Sequence, residues 1–174
     1  MSTDRINKLA GTLELLYEKH SKELLFHGWH HISFVRNKAV EFAHIIGADV
    51  ELVEAAALTH DLNYIIEPNS EPNIAKEMRE EYLKDALFST DETNKIESMI
   101  MESHARTRNE NISLDGKALS DADTLFKALP TTPILFASKY ITQNKVDIYK
   151  LARKVTSEQN KLMESGIYFY IDQV

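Results

Sequence analysis

Residues 29–47 read WHHISFVRNKAVEFAHIIG. Taken at 3.6 residues per turn, His31, Val35, Ala39, Phe42 and Ile46 fall on one stripe. Gly47 follows as the residue type that most easily adopts the left-handed conformation that stops a helix. The stretch therefore predicts a helix over Trp29–Ile46.

The same spacing extends to both sides. Thr3 caps a predicted first helix to about His20, with Ile6, Leu9, Leu13, Leu16 and Tyr17 along it. A third helix starts near Asp49 and carries Leu52, Val53, Ala56, Ala57 and His60. Pro68 and Pro72 bracket the polar loop EPNSEP, and a charged helix is expected from about Asn73 to Leu87. Ser89 or Thr90 caps the next, marked by Ile96, Met99, Ile100 and His104. The stretch TRNENISLDGK reads as an exposed loop, followed by a short helix over Ala118–Leu129. Two more helices are expected at Pro133–Thr142 and Lys145–Glu164. The tail GIYFYIDQV reads either as a final strand or as a docking segment. With only 5 glycines and 4 prolines in 174 residues, the chain lacks the turn residues of a sandwich or barrel. The expected fold is one all-α domain over residues 1–174, a bundle of about seven or eight helices.

Composition narrows the function. Hydrophobic residues make up 43% and charged residues 27%, enough apolar surface for a packed core. With no cysteine, zinc fingers, iron–sulfur clusters, disulfides and thiol nucleophiles are excluded. The formal charge of −7 disfavours binding to a nucleic-acid duplex. The opening MSTDRINKLAGTLELL shows no signal-peptide pattern, and no run of about 18 apolar residues suggests a membrane span. A cytoplasmic location is expected.

Four polar residues break the apolar pattern. His31 lies on the stripe of its helix, and His60 follows Ala57 by three positions. Asp123 lies four residues after Leu119 and three before Phe126, so it also faces inward. Asp61 is next to His60, about 100° further round. An inward carboxylate is costly unless paired or metal-bound. Two imidazoles and two carboxylates from three helices would satisfy one another around one divalent cation, with Mn, Fe, Co, Ni, Zn and Mg all compatible.

With those residues in place, the chain resembles the HD-domain superfamily of metal-dependent phosphohydrolases. HISFVRNKAVEFA resembles the family's first-histidine helix, VEAAALTHDLNY its approach to the His-Asp pair, and LSDADTLFKA its Asp-Ala-Asp-x-Leu element. The resemblance covers roughly His27–Leu129 and implies His31, His60, Asp61 and Asp123 as ligands of one metal. It implies a hydrolase of a small phosphorylated substrate, a nucleotide or related phosphomonoester. Two departures stand out. Leu62 and Asn63 follow the pair where many members have a glycine at the second position. Thr124 occupies a position that is often basic, and Lys127, one turn later, is a substitute. Two-metal members add two histidines before the last aspartate, but here only His104 lies between Asp61 and Asp123, so a mononuclear site is expected.

Asp61 is expected to orient the attacking water, and His104 to serve as a second acid or base. Arg36, Arg106, Arg108 and Lys127 are candidates to hold phosphate, because forked or compact cationic donors suit it. His27 and His30 are candidate extra ligands, Asp121 a supporting residue or cap, and Trp29, Tyr64 and Glu67 candidate cleft residues. Two other readings remain at this point: a metal-binding sensor or interaction domain without turnover, and a diiron oxygenase. A homo-oligomer is compatible with the aromatic tail.

Overall fold

The structure is a computed structural model, and it describes residues 2–104, 111–129, 132, 137, 140–142, 144–164 and 169–172. Helices α1 (Ser2–Lys19), α2 (Trp29–Ile46) and α3 (Val50–Thr59) come first. A single-turn α4 (Asn63–Ile66) and a 3-10 turn (Pro72–Ala75) then lead into α5 (Lys76–Asp85), α6 (Thr90–Ser103), α7 (Leu114–Ala128) and α8 (Ile148–Glu164). No strand occurs among the described residues, and the all-α expectation holds.

Helix α3 is the centre of the bundle. Leu52, Val53, Ala55, Ala56, Ala57, Leu58 and Thr59 are all buried, the pattern of a helix covered on every side. Its three consecutive alanines keep its girth small, so α1, α2, α6 and α7 all pack against it. The strongest pairing is between α2 and α7, with α2 on α3 next. The C-terminal end of α3, the start of α2 and the middle of α7 therefore meet.

Local signals fix the ends. Asp49 caps α3 by accepting from Leu52 N at 3.1 Å, and its own N–H donates to Asp115 Oδ1 at 2.8 Å, tying α3 to α7. Gly47 takes φ 72° and its N–H donates to Ala43 O, which ends α2 where the sequence places it. Gly28 precedes α2, and a Cβ there would come within 2.8 Å of Leu24 O. The turn carrying His27 thus closes only with glycine at that point.

Helix α7 starts at Leu114, four residues before the expected Ala118. Ser113 caps it by accepting from Gly116 N at 3.0 Å. Gly116, read as part of a loop, sits inside the first turn of α7, beside the carboxylate end of Glu102. Most of the helix expected over 133–142 lies outside the described residues. In the tail, residues 169–172 form turn and bend, with Ile171 buried in the core, so the docking alternative holds and the strand does not for those residues.

Helices α5 and α6 are joined by a buried ion pair. Arg79 is fully buried and binds Glu97 through two bonds of 2.6 and 2.7 Å. Removing one partner strands the other charge in low dielectric. Arg79→Ala is expected to lower unfolding free energy by about 3–5 kcal/mol in urea denaturation. Ser89→Ala, which deletes the capping box with Glu92 at the start of α6, is expected to cost about 1 kcal/mol.

Candidate metal centre

Three elements supply four side chains. His31 comes from the first turn of α2, His60 and Asp61 from the end of α3 and the turn after it, and Asp123 from the middle of α7. His31 is fully buried, and His60 and Asp61 are nearly so. His31 Nε2 lies 3.3 Å from His60 Nε2, 3.0 Å from Asp61 Oδ2 and 3.5 Å from Asp123 Oδ1. His60 Nε2 lies 3.3 Å from Asp61 Oδ2.

These spacings suit a cation. Bonds of about 2.0–2.2 Å place neighbouring donors about 3.0 Å apart at octahedral angles and about 3.4 Å apart at tetrahedral ones. The donor chemistry agrees. His60 Nδ1–H donates to Ala57 O at 2.8 Å, which in the neutral ring leaves the Nε2 lone pair facing the cluster. Asp61 Oδ2 is buried between two imidazole nitrogens and makes no hydrogen bond. His31, His60 and Asp61 each present a donor atom within one small sphere. The group fits a divalent metal.

Electrostatics in the metal-free chain lean on the same contacts. Burial alone would push the Asp61 carboxyl up, but the neighbouring His60 and His27 rings hold it well below the usual range. Burial likewise opposes ionisation of Asp123, and Lys127, His31 and His60 outweigh it. His60 is pulled the other way: burial lowers its pKa, and the charge of Asp61 more than restores it, so the net shift is upward. The raised His60 pKa means that a cation binding there competes with a proton.

An aromatic jacket surrounds the donors. Phe126 meets His31 edge-to-face at 4.6 Å, and Phe26 stacks on it at 6.1 Å. His27 lies beside His31 and flat on Tyr64. Burial drives the His27 imidazole down to about 3, so it is neutral, and pushes the Tyr64 phenol up to about 12.

Other expected residues fall elsewhere. Arg36 is bound to Glu54 of α3 by contacts of 2.8 and 2.6 Å, so its guanidinium bridges α2 and α3. His104 caps the end of α6, is 39% exposed and pairs with Glu71 at 3.3 Å, away from the four donors. Its helical spacing placed it on the inner side, but its side chain is exposed and meets Glu71 instead. Arg106 and Arg108 lie outside the described residues. Lys127 is half-exposed and its ammonium pairs with Asp123 Oδ2 at the rim of the cluster. His30 is exposed and does not join the cluster. Asp121 is fully buried and accepts from Tyr170 N and Ile171 N at 2.7 and 2.8 Å, anchoring the tail rather than capping a helix. Trp29 packs on Tyr17, with ring centroids 6.3 Å apart. The His27–Tyr64 stack carries no sequence signal, because His27 lies in a turn without periodicity.

A histidine, a His-Asp pair and a distant aspartate converging inside a helical bundle define a metal-site architecture that comparison places in a family. Residues 28–127 match the HD domain family, and the chain belongs to it. Among individual proteins it is similar to YpgQ of Bacillus subtilis (strain 168), an uncharacterized protein, with 31% identity over 105 residues, 57% of this chain and 50% of that one. The chain spans about half the length of that curated relative. Two crystal structures share the fold. One is a Lactobacillus plantarum protein at 22% identity and TM-score 0.61, covering 79% of this chain and 64% of the other. The second is YpgQ itself at 21% identity and TM-score 0.56, covering 82% and 70%. No helix among the described residues is long and apolar enough to cross a membrane.

The raised pKa of His60 gives a signed prediction. A group whose folded pKa exceeds its unfolded value of about 6.5 stabilises below that value and loses the contribution as pH rises through the folded one. Asp61 and Asp123, both lowered, contribute constantly above about pH 4, and the deficit from neutral His27 arises only below about 6.5. Without metal, the melting temperature should therefore fall as pH rises above about 6.5 and through the raised folded value. With saturating Mn the trend should reverse, because metal affinity rises as the ligands deprotonate. Differential scanning fluorimetry in both conditions checks it.

Proposed function

We propose that the chain is a divalent-metal-dependent phosphohydrolase acting on a small phosphate ester, a nucleotide or related phosphomonoester. The observation that carries this reading is the convergence of His31, His60 and Asp61 at coordination spacing, with Asp123 3.5 Å from His31. When bound there, a divalent cation would supply a water acidified toward neutrality and a charge that polarises a phosphoryl oxygen.

The chain's own residues do the rest. His31 and His60 hold the site through neutral nitrogens, with the His60 tautomer set by Ala57 O. Asp61 uses Oδ2 in the cluster contacts, so its second carboxylate oxygen can accept a proton from a water and orient it toward phosphorus. Lys127 balances Asp123 and puts positive charge at the half-exposed rim, where an anionic substrate would arrive. The jacket of Phe26 and Phe126 keeps water away from the donors and strengthens their electrostatics. One metal per chain is favoured, because His104 pairs with Glu71 and adds no second set of ligands.

The test begins with metal content on protein purified without chelator, followed by phosphate release from a panel of esters with Mn, Co, Ni or Mg. About one metal per chain and metal-dependent release are expected. Asp61→Ala and His60→Ala should each lose both metal and turnover by at least about 100-fold, since even residues that only orient a ligand cost about 10–100-fold. Metal-dependent melting with no release on any ester would favour a sensor domain, and two irons per chain with oxygen uptake would replace hydrolysis by oxygenation.

A further inference from the structure

The His27–Tyr64 stack has no part in holding the four donors. The two rings lie with centroids 3.7 Å apart and planes within 4°. His27 sits in the turn before α2, and Tyr64 lies on α4, three residues beyond Asp61. The contact therefore joins the segment ahead of the first histidine to the segment behind the His-Asp pair. His27 also meets His31 edge-to-face at 5.8 Å and Phe26 at 5.0 Å. Its backbone is fixed by Gly28, which admits no side chain against Leu24 O.

A ring pinned by three aromatic neighbours is held in one orientation. Yet among the described residues neither the His27 nor the Tyr64 side chain has a hydrogen-bond partner. A neutral imidazole always carries one N–H donor. Of the arginines that the sequence offers for a phosphate fork, Arg36 is paired with Glu54, and Arg106 and Arg108 lie outside the described residues. Among the described residues, Lys127 is a cation paired with a member of the cluster, Asp123. A phosphoryl group arriving there needs further donors. A donor that is already immobilised loses little conformational freedom on binding.

We propose that His27 is a substrate-contacting residue of this site, its imidazole N–H donating to an oxygen of a phosphoryl group bound at the metal cluster, and that Tyr64 is its positioning residue, acting through the stack. The inference deepens the phosphohydrolase reading and rests on it for the class of ligand.

The experiment uses the full chain loaded with Mn and inorganic phosphate as the probe, with affinity read by calorimetry and metal per chain read on the same samples. His27→Ala is expected to weaken phosphate binding by about tenfold or more, the usual effect of losing a hydrogen bond to a charged group, with metal content unchanged. Tyr64→Leu, which removes the stack, should do nearly the same, while Tyr64→Phe, which keeps it, should bind as the parent does. Should His27→Ala fail to fold, the contrast between the two Tyr64 variants decides. Unchanged phosphate affinity in both His27→Ala and Tyr64→Leu overturns the proposal, as does loss of metal in His27→Ala, which would make His27 a ligand. A parent protein that takes up Mn and binds no phosphate overturns this proposal and the phosphohydrolase reading together. Phosphate binding that depends on His27 with no ester hydrolysed supports the contact and overturns only the catalysis.

Discussion

Two carboxylates beside two buried imidazoles form the constraint on which the rest of the molecule depends. Asp61 and Asp123 are negative in an apolar surrounding, and burial opposes that charge at each of them. Only opposite charge within a few ångströms makes the arrangement tolerable. In the metal-free chain the Lys127 ammonium partly supplies it, and the carboxylates in turn favour the protonated form of His60. A divalent cation would supply it more fully, at a point common to His31, His60 and Asp61, with Asp123 at its edge. The bundle is built to hold that point. The alanines of α3 bring α2 and α7 close, and the cap at Asp49 ties the base of α3 to α7.

The candidate centre was partly legible because His31 and Asp123 occupy inward helical positions and His60 follows directly on one. Periodicity shows which residues face inward, and His31 and Asp123 lie on stripes that Val35, Leu119 and Phe126 define. The resemblance supplied order: a histidine, a pair, then a late aspartate. Facing, however, says nothing about partners. Arg36 has a helical position like those of many ligand-binding arginines, and only the fold shows Glu54 opposite it. His104 follows the right spacing, yet its side chain is exposed and meets Glu71. Gly116 looks like a loop until Glu102 is placed against it from the preceding helix.

What periodicity misses most is the turn. Residues between α1 and α2 have no repeat to read, yet they deliver His27 against Tyr64. The stack is set by the close approach at Gly28 and by the exit of the chain after Asp61, two backbone events about 35 residues apart that pattern reading cannot connect.

The anchoring of the tail by Asp121 illustrates a different kind of specification. The carboxylate grips two consecutive main-chain amides, so it recognises the path of the chain and not the identity of its side chains. Residue 171 must remain apolar to fill its place in the core. Proline is barred from residues 170 and 171, since it has no amide hydrogen to offer. Over evolutionary time the clamp would leave its record at one invariant acid on α7, with a loosely conserved tail opposite it.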